Sequence, residues 1–166
     1  MNNLSLIIRP ELPTDNEAVE RLHERAFGPG RFARTASRLR EGAPHLPEVS
    51  FTALVGTLIV GSVRLTPVIA GDLPALMLGP LTVDPYFENR GIGAALMEKS
   101  MQTAKSLGHK LVLLVGDEPY YRRFGFKVVQ PGKLVLPGPV NPARFLAAEL
   151  EPGIMEQVHG QVRPGA

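Results

Sequence analysis

The stretch from Leu78 to Leu96, LGPLTVDPYFENRGIGAAL, constrains this chain more than any other. It reads as an apolar strand running into a proline-containing turn, then a glycine-punctuated loop carrying Arg90, then a helix that begins on small residues. The first N–H groups of such a helix have no partner inside it, and the helix dipole favours negative charge at that end. The arrangement suits a pyrophosphate-bearing ligand. A Rossmann fingerprint would need a third glycine and a place at the start of the fold, and a P-loop would need Gly-Lys-Ser/Thr; neither is present. Gly91 and Gly93 taken alone are equally consistent with a tight turn and close helix packing.

The elements around this stretch follow from periodicity. Leu4 to Arg9 reads as a first strand ended by Pro10, and Thr14-Asp15-Asn16-Glu17 as a capping box opening a helix that carries Val19, Leu22, Ala26 and Phe27 at helical spacing. A second helix is expected from Ala33 to Arg40, with Arg31, Arg34, Arg38 and Arg40 on a solvated face. Ser50–Val55, Gly56-Thr57 and Leu58–Leu65 read as a hairpin, and Gly71-Asp72-Leu73-Pro74 as a turn into a third antiparallel strand. The helix from Gly91 to Leu107 carries Ile92, Leu96, Met97, Met101, Ala104 and Leu107 on one side and Glu98, Gln102 and Lys105 on the other. Lys110–Val115 is a continuous apolar run, as a strand buried on both faces requires.

Strand, helix and strand across Leu76 to Val115 form a βαβ unit with parallel strands, which makes the sheet mixed. Beyond it come a short helix at Pro119–Phe124, a strand beginning at Gly125, a proline-rich return, and a last strand over Arg144–Leu150. Residues 1–152 read as one domain and 153–166 as a peripheral tail.

At 166 residues the chain suits one domain. A net charge of +2 gives no argument for nucleic acid, and the absence of cysteine removes thiol nucleophiles and thiolate metal sites. No histidine and carboxylate cluster has convincing metal-ligand spacing. No run reaches the roughly 18 to 20 apolar residues of a membrane span, so the expectation is a cytoplasmic protein with no membrane and no metal.

Val83-x-Pro85, then Glu88-x-x-Gly91-x-Gly93-Ala94, then Tyr121-x-x-x-Gly125-Phe126 together resemble the GNAT superfamily of acyl-CoA-dependent N-acyltransferases, in its YhbS-like bacterial branch. The resemblance implies an α/β fold of GNAT type: a single domain with a mixed, centrally splayed β-sheet flanked by helices. It implies acetyl-CoA as co-substrate, with the pantetheine arm in the splay against backbone groups of Leu81, Thr82 and Val83. The pyrophosphate would rest on the N–H groups of Glu88, Asn89, Arg90, Gly91, Ile92, Gly93 and Ala94. Glu88 departs from the family, which has Gln or Arg there, and a carboxylate facing a pyrophosphate would repel it.

Tyr121 matches the family's general-acid tyrosine, while Tyr120 reads as packing. Leu76 to Pro80 offers no carboxylate as base. Glu24 and His23 could border the acceptor pocket, although both read more readily as surface residues. The implied activity is acetyl transfer to a small-molecule or peptide amine by a monomer or homodimer. A non-catalytic acyl-CoA-binding or sensory module of the same fold is the alternative.

Overall fold

A computed structural model describes residues 5–27 and 44–165. The expected second helix and its arginines lie outside the described residues. The strands are β1 (Leu6–Pro10), β2 (Phe51–Val55), β3 (Leu58–Ala70), β4 (Leu73–Val83), β5 (Leu111–Val115), β6 (Lys127–Val128), β7 (Leu134–Val135), β8 (Phe145–Glu149) and β9 (Gly160–Pro164). The helices are α1 (Asn16–Phe27), α2 (Ile92–Ser106) and the single turn α3 (Glu118–Tyr121).

The sheet runs β1-β2-β3-β4-β5-β8-β6. β2, β3 and β4 form the expected three-stranded antiparallel meander, and β1 extends it by pairing antiparallel with β2. β4 and β5 are parallel, joined through α2, and β8 returns antiparallel to β5. Alternation along β5 divides its side chains between two cores. Val112 and Leu114 meet Leu96, Met97 and Leu76 on one face, and Leu111 and Leu113 meet Met77, Phe145 and Ile154 on the other. Each such large side chain withdrawn from water contributes about 1.5 to 3 kcal/mol.

Three local features differ from expectation. Asp15, rather than a Thr14–Glu17 box, fixes the entry to α1: its carboxylate accepts the Leu12 N–H at 2.8 Å and pairs with Arg9, while Glu17 faces Arg21 along the helix at 3.4 Å. Leu107 is exposed because α2 ends at Ser106 and the chain turns away at the helix cap. The expected peripheral tail is packed into the fold across its described residues, 153–165. β9 pairs with β3 at Val68–Ala70, and Ile154, Val158 and Val162 are buried.

A buried ionic network joins α1 to the sheet. Arg64 on β3 donates through Nε and Nη2 to both oxygens of Glu11 at 2.9 Å, through Nη1 to Glu20 at 2.8 Å and through Nη2 to Asn16 at 3.0 Å. His45 Nε2 lies 3.1 Å from Glu11. Burial pushes the Glu11 carboxyl up, but the hydrogen bonds from His45 and Arg64 outweigh it and hold the group below the ordinary carboxylate range. Asp15 is likewise lowered, chiefly by Arg9.

Both carboxylates therefore stabilise the fold above the ordinary carboxylate range, and that contribution disappears as pH falls through their lowered folded values. Thermal melts should lose stability steeply below about pH 4, and a melting temperature flat to about pH 2 would contradict the network. Arg64→Met should cost about 3 to 5 kcal/mol in denaturant unfolding, since it strands Glu11 in the interior. A loss below about 1 kcal/mol would show that the pair is solvated.

Candidate active site

β4 keeps β3 as a neighbour to its end but has β5 as a neighbour only at Leu76 and Met77. The change happens at a bulge, where Gly79 and Pro80 together oppose Arg64 between the pairs Val63–Leu81 and Leu65–Leu78. A bulge bends its strand and raises local twist, and proline lacks the N–H a central ladder needs. The sequence thus places Pro80 where β5 has already left. From Leu78 to Val83 one edge of β4 is open, and its backbone groups need other partners.

Past the open edge the chain enters the loop before α2. Asp84 caps a 3₁₀ turn at Pro85–Phe87 by accepting the Tyr86 N–H at 2.9 Å, and its other oxygen pairs with Arg25 of α1 at 2.8 Å. Glu88, Asn89 and Arg90 are exposed, and the Arg90 guanidinium stands 5.2 Å from the Phe87 ring centroid. Asn89 (φ 63°) and Gly91 (φ 80°) both adopt left-handed backbone. That turns the chain so that the free N–H groups of Ile92, Gly93 and Ala94 open α2 beside the end of β4.

The two glycines do different work. Gly91 supplies conformation, with open space around the position of a Cβ. Gly93 supplies proximity, since a Cβ there would lie 3.0 Å from the Tyr120 hydroxyl and 3.8 Å from the Val83 side chain.

Tyr121 stands across the gap, on α3 just beyond the C-terminal end of β5. Asp117 precedes α3, accepts the Tyr120 and Tyr121 N–H groups on its carbonyl at 3.1 Å, and is itself held by Arg144. The Tyr121 ring lies so close to Gly116 that a Cβ there would be 2.5 Å from Cε2. It meets Phe126 and Tyr120 edge-on at 6.0 and 4.9 Å between centroids. Burial, reinforced by Tyr120 and Asp117 and opposed by Arg144, pushes its phenol up to about 12. Gly125 turns the chain with φ 92°, so that Phe126 drops into the core.

The structure thus brings Leu81, Thr82, Val83, the loop from Glu88 to Ala94 and Tyr121 around one gap. Of the two acceptor-side candidates, Glu24 is exposed as expected, whereas His23 is buried at 3% exposure with Nδ1 3.6 Å from Glu20. A shallow cleft of about 290 Å³ lies against Arg21, Glu24 and Arg25. Among the described residues no group of three or more His, Cys, Asp or Glu could hold a metal, and no helix is long and apolar enough to cross a membrane. Sequence reasoning missed the reach of Tyr120 and the seat that Gly116 makes for Tyr121. The signal for the second was Gly116 itself, a glycine directly between a buried strand and an aromatic turn.

The mixed sheet with its open strand edge leading onto a helix N-terminus belongs to a fold this chain shares with solved acetyltransferase structures. A family model described as an acetyltransferase (GNAT) domain matches residues 47–128. The chain is 27% identical over 159 residues, 95% of each protein, to the uncharacterized N-acetyltransferase YhbS of Escherichia coli K12. It superposes with a TM-score of 0.83 on the crystal structure of YhbS from Escherichia coli in complex with CoA, at 26% identity over 99% of this chain and 92% of that one. A GNAT acetyltransferase from Brucella melitensis in complex with acetyl-CoA gives a TM-score of 0.69 at 26% identity, covering 99% and 98%. The chain belongs to the GNAT family.

The seat of Tyr121 can be checked directly. Gly116→Ala should displace the ring at a cost of about 1 to 3 kcal/mol, as overpacking does. With no tryptophan and only three tyrosines, of which Tyr86 is largely exposed, near-UV circular dichroism reports mainly on Tyr120 and Tyr121. An unchanged spectrum and melt would show that the ring does not rest on Gly116.

Proposed function

We propose that this protein transfers the acetyl group of acetyl-CoA directly to an amine, a small molecule or a peptide, in the cytoplasm. One observation carries the reading: the unpaired edge of β4 from Leu78 to Val83 runs between Tyr121 and the free N–H groups at the start of α2. Two GNAT relatives of similar fold are in complex with CoA and acetyl-CoA.

The residues fit such a co-substrate. The open edge offers alternating N–H and C=O groups to an amide-containing arm, and the α2 N-terminus offers donors to a pyrophosphate. Leu81, Thr82 and Val83 align the arm, and a backbone N–H of this segment polarises the thioester carbonyl and stabilises the oxyanion that develops on it. Glu88 is exposed, so its carboxylate is free to turn to solvent while the backbone N–H groups form the cradle. With the amine bound in neutral form, its nitrogen forms the new C–N bond and releases a proton to water, the C–S bond breaks, and the departing thiolate takes a proton from Tyr121, which recovers one from solvent. A phenol near 12 keeps its proton throughout the neutral range, so this donor is always loaded. No carboxylate on Leu76–Pro80 serves as base, and the neutral fraction of the amine supplies the nucleophile.

Acetyl-CoA should raise the melting temperature, and thiol release should follow on addition of a competent amine. Stabilisation without release across a broad amine panel would favour a binding module. Tyr121→Phe should lower kcat about 10- to 1,000-fold with little change in acetyl-CoA affinity, the range spanned by losing a general acid or one transition-state donor. Unchanged turnover would remove Tyr121 from the mechanism. In the wild type kcat/KM should climb as the amine deprotonates and hold through about pH 10; an earlier alkaline fall would mean that Tyr121 titrates unburied.

A further inference from the structure

We infer that the Tyr120 hydroxyl is the second wall of the pyrophosphate site, donating to a phosphate oxygen that the start of α2 holds from the other side. The inference rests on the acetyl-CoA reading above and adds a residue that no motif assigns. Tyr120 and Gly93 belong to elements on opposite sides of the gap, yet the hydroxyl lies 3.0 Å from where a Gly93 Cβ would be. That places a neutral donor beside the second N–H of a helix whose first three N–H groups have no helical partner. The hydroxyl makes no hydrogen bond among the described residues, so none of them competes for its proton.

The ring is held for this purpose from several sides. The Arg123 guanidinium stands over it at 4.6 Å, Tyr121 meets it edge-on at 4.9 Å, and Phe124 lies at 5.7 Å. Arg123 also brings a positive charge to the same wall, opposite the loop that carries Arg90. An anion seated on Ile92, Gly93 and Ala94 would thus meet backbone donors on one side and a phenol backed by a guanidinium on the other. A merely structural tyrosine would need its ring but not its hydroxyl. Gly93 is explained on the same terms, because any side chain there would push the hydroxyl out of the site.

The test compares three acetyl donors that share a thioester but differ in phosphates: acetyl-CoA, acetyl-dephospho-CoA and S-acetylpantetheine. Tyr120→Phe should raise KM about tenfold for the first two, the size of one hydrogen bond to a charged group, and leave kcat and the KM for S-acetylpantetheine unchanged. Activity with S-acetylpantetheine doubles as the control for folding. In a double-mutant cycle, Gly93→Ala should weaken acetyl-CoA binding less when combined with Tyr120→Phe than in the wild type.

A tenfold rise confined to acetyl-CoA would assign the hydroxyl to the 3′-phosphate and overturn the inference. So would an equal rise for all three donors, which would assign the ring to the pantetheine arm, or no rise for any. If wild-type protein neither binds nor uses acetyl-CoA, the functional reading itself fails.

Discussion

The separation of β4 from β5 is the constraint on which the rest of the molecule depends. Two parallel strands in mid-sheet ordinarily satisfy one another along their length, and here they do so at only two positions. The cost of the exposed backbone is held in check by what surrounds it. β3 stays registered with β4 to its end, β8 takes the far side of β5, and α2 covers the fork with Ile92, Leu96 and Met97. The bulge at Gly79-Pro80 concentrates the bend at one place, directly opposite Arg64. The ion network under α1 therefore anchors the strand beside the bend, so the open edge belongs to a stiff element.

Much of this arrangement was legible in the sequence, for physical reasons. The apolar run Lys110–Val115 could only be a strand buried twice, and the βαβ unit then dictated its parallel neighbour. The gap was implied by the resemblance of the two motifs, in their order, to the GNAT superfamily. The places where expectation and structure part are those decided by long-range contacts. Local chemistry at Thr14-Asp15-Asn16-Glu17 permits a capping box, but Arg9 draws Asp15 into the turn instead. His23 occupies a helical position that periodicity leaves ambiguous, and only the approach of α1 to the sheet buries it.

The site shows the same division. Leu81 to Val83, the loop to Ala94 and Tyr121 were nameable because the motifs that hold them resemble those of the GNAT superfamily. Tyr120 was not, since adjacent aromatic residues on a short turn look alike until the turn is oriented. What separates them is Gly116, which takes the face of Tyr121 and leaves the hydroxyl of Tyr120 to reach toward Gly93. Two glycines distant in sequence thus set two neighbouring tyrosines in different positions.

The pairing of β9 with β3 covers a strand edge that would otherwise stand open. β3 is longer than its partner β2, and at Val68 to Ala70 its outer edge would be a bare row of backbone donors and acceptors beside buried apolar side chains. The final strand occupies that edge. Cut away, it would leave an open edge of the kind on which strands from other molecules add, and β9 shields that edge from such pairing.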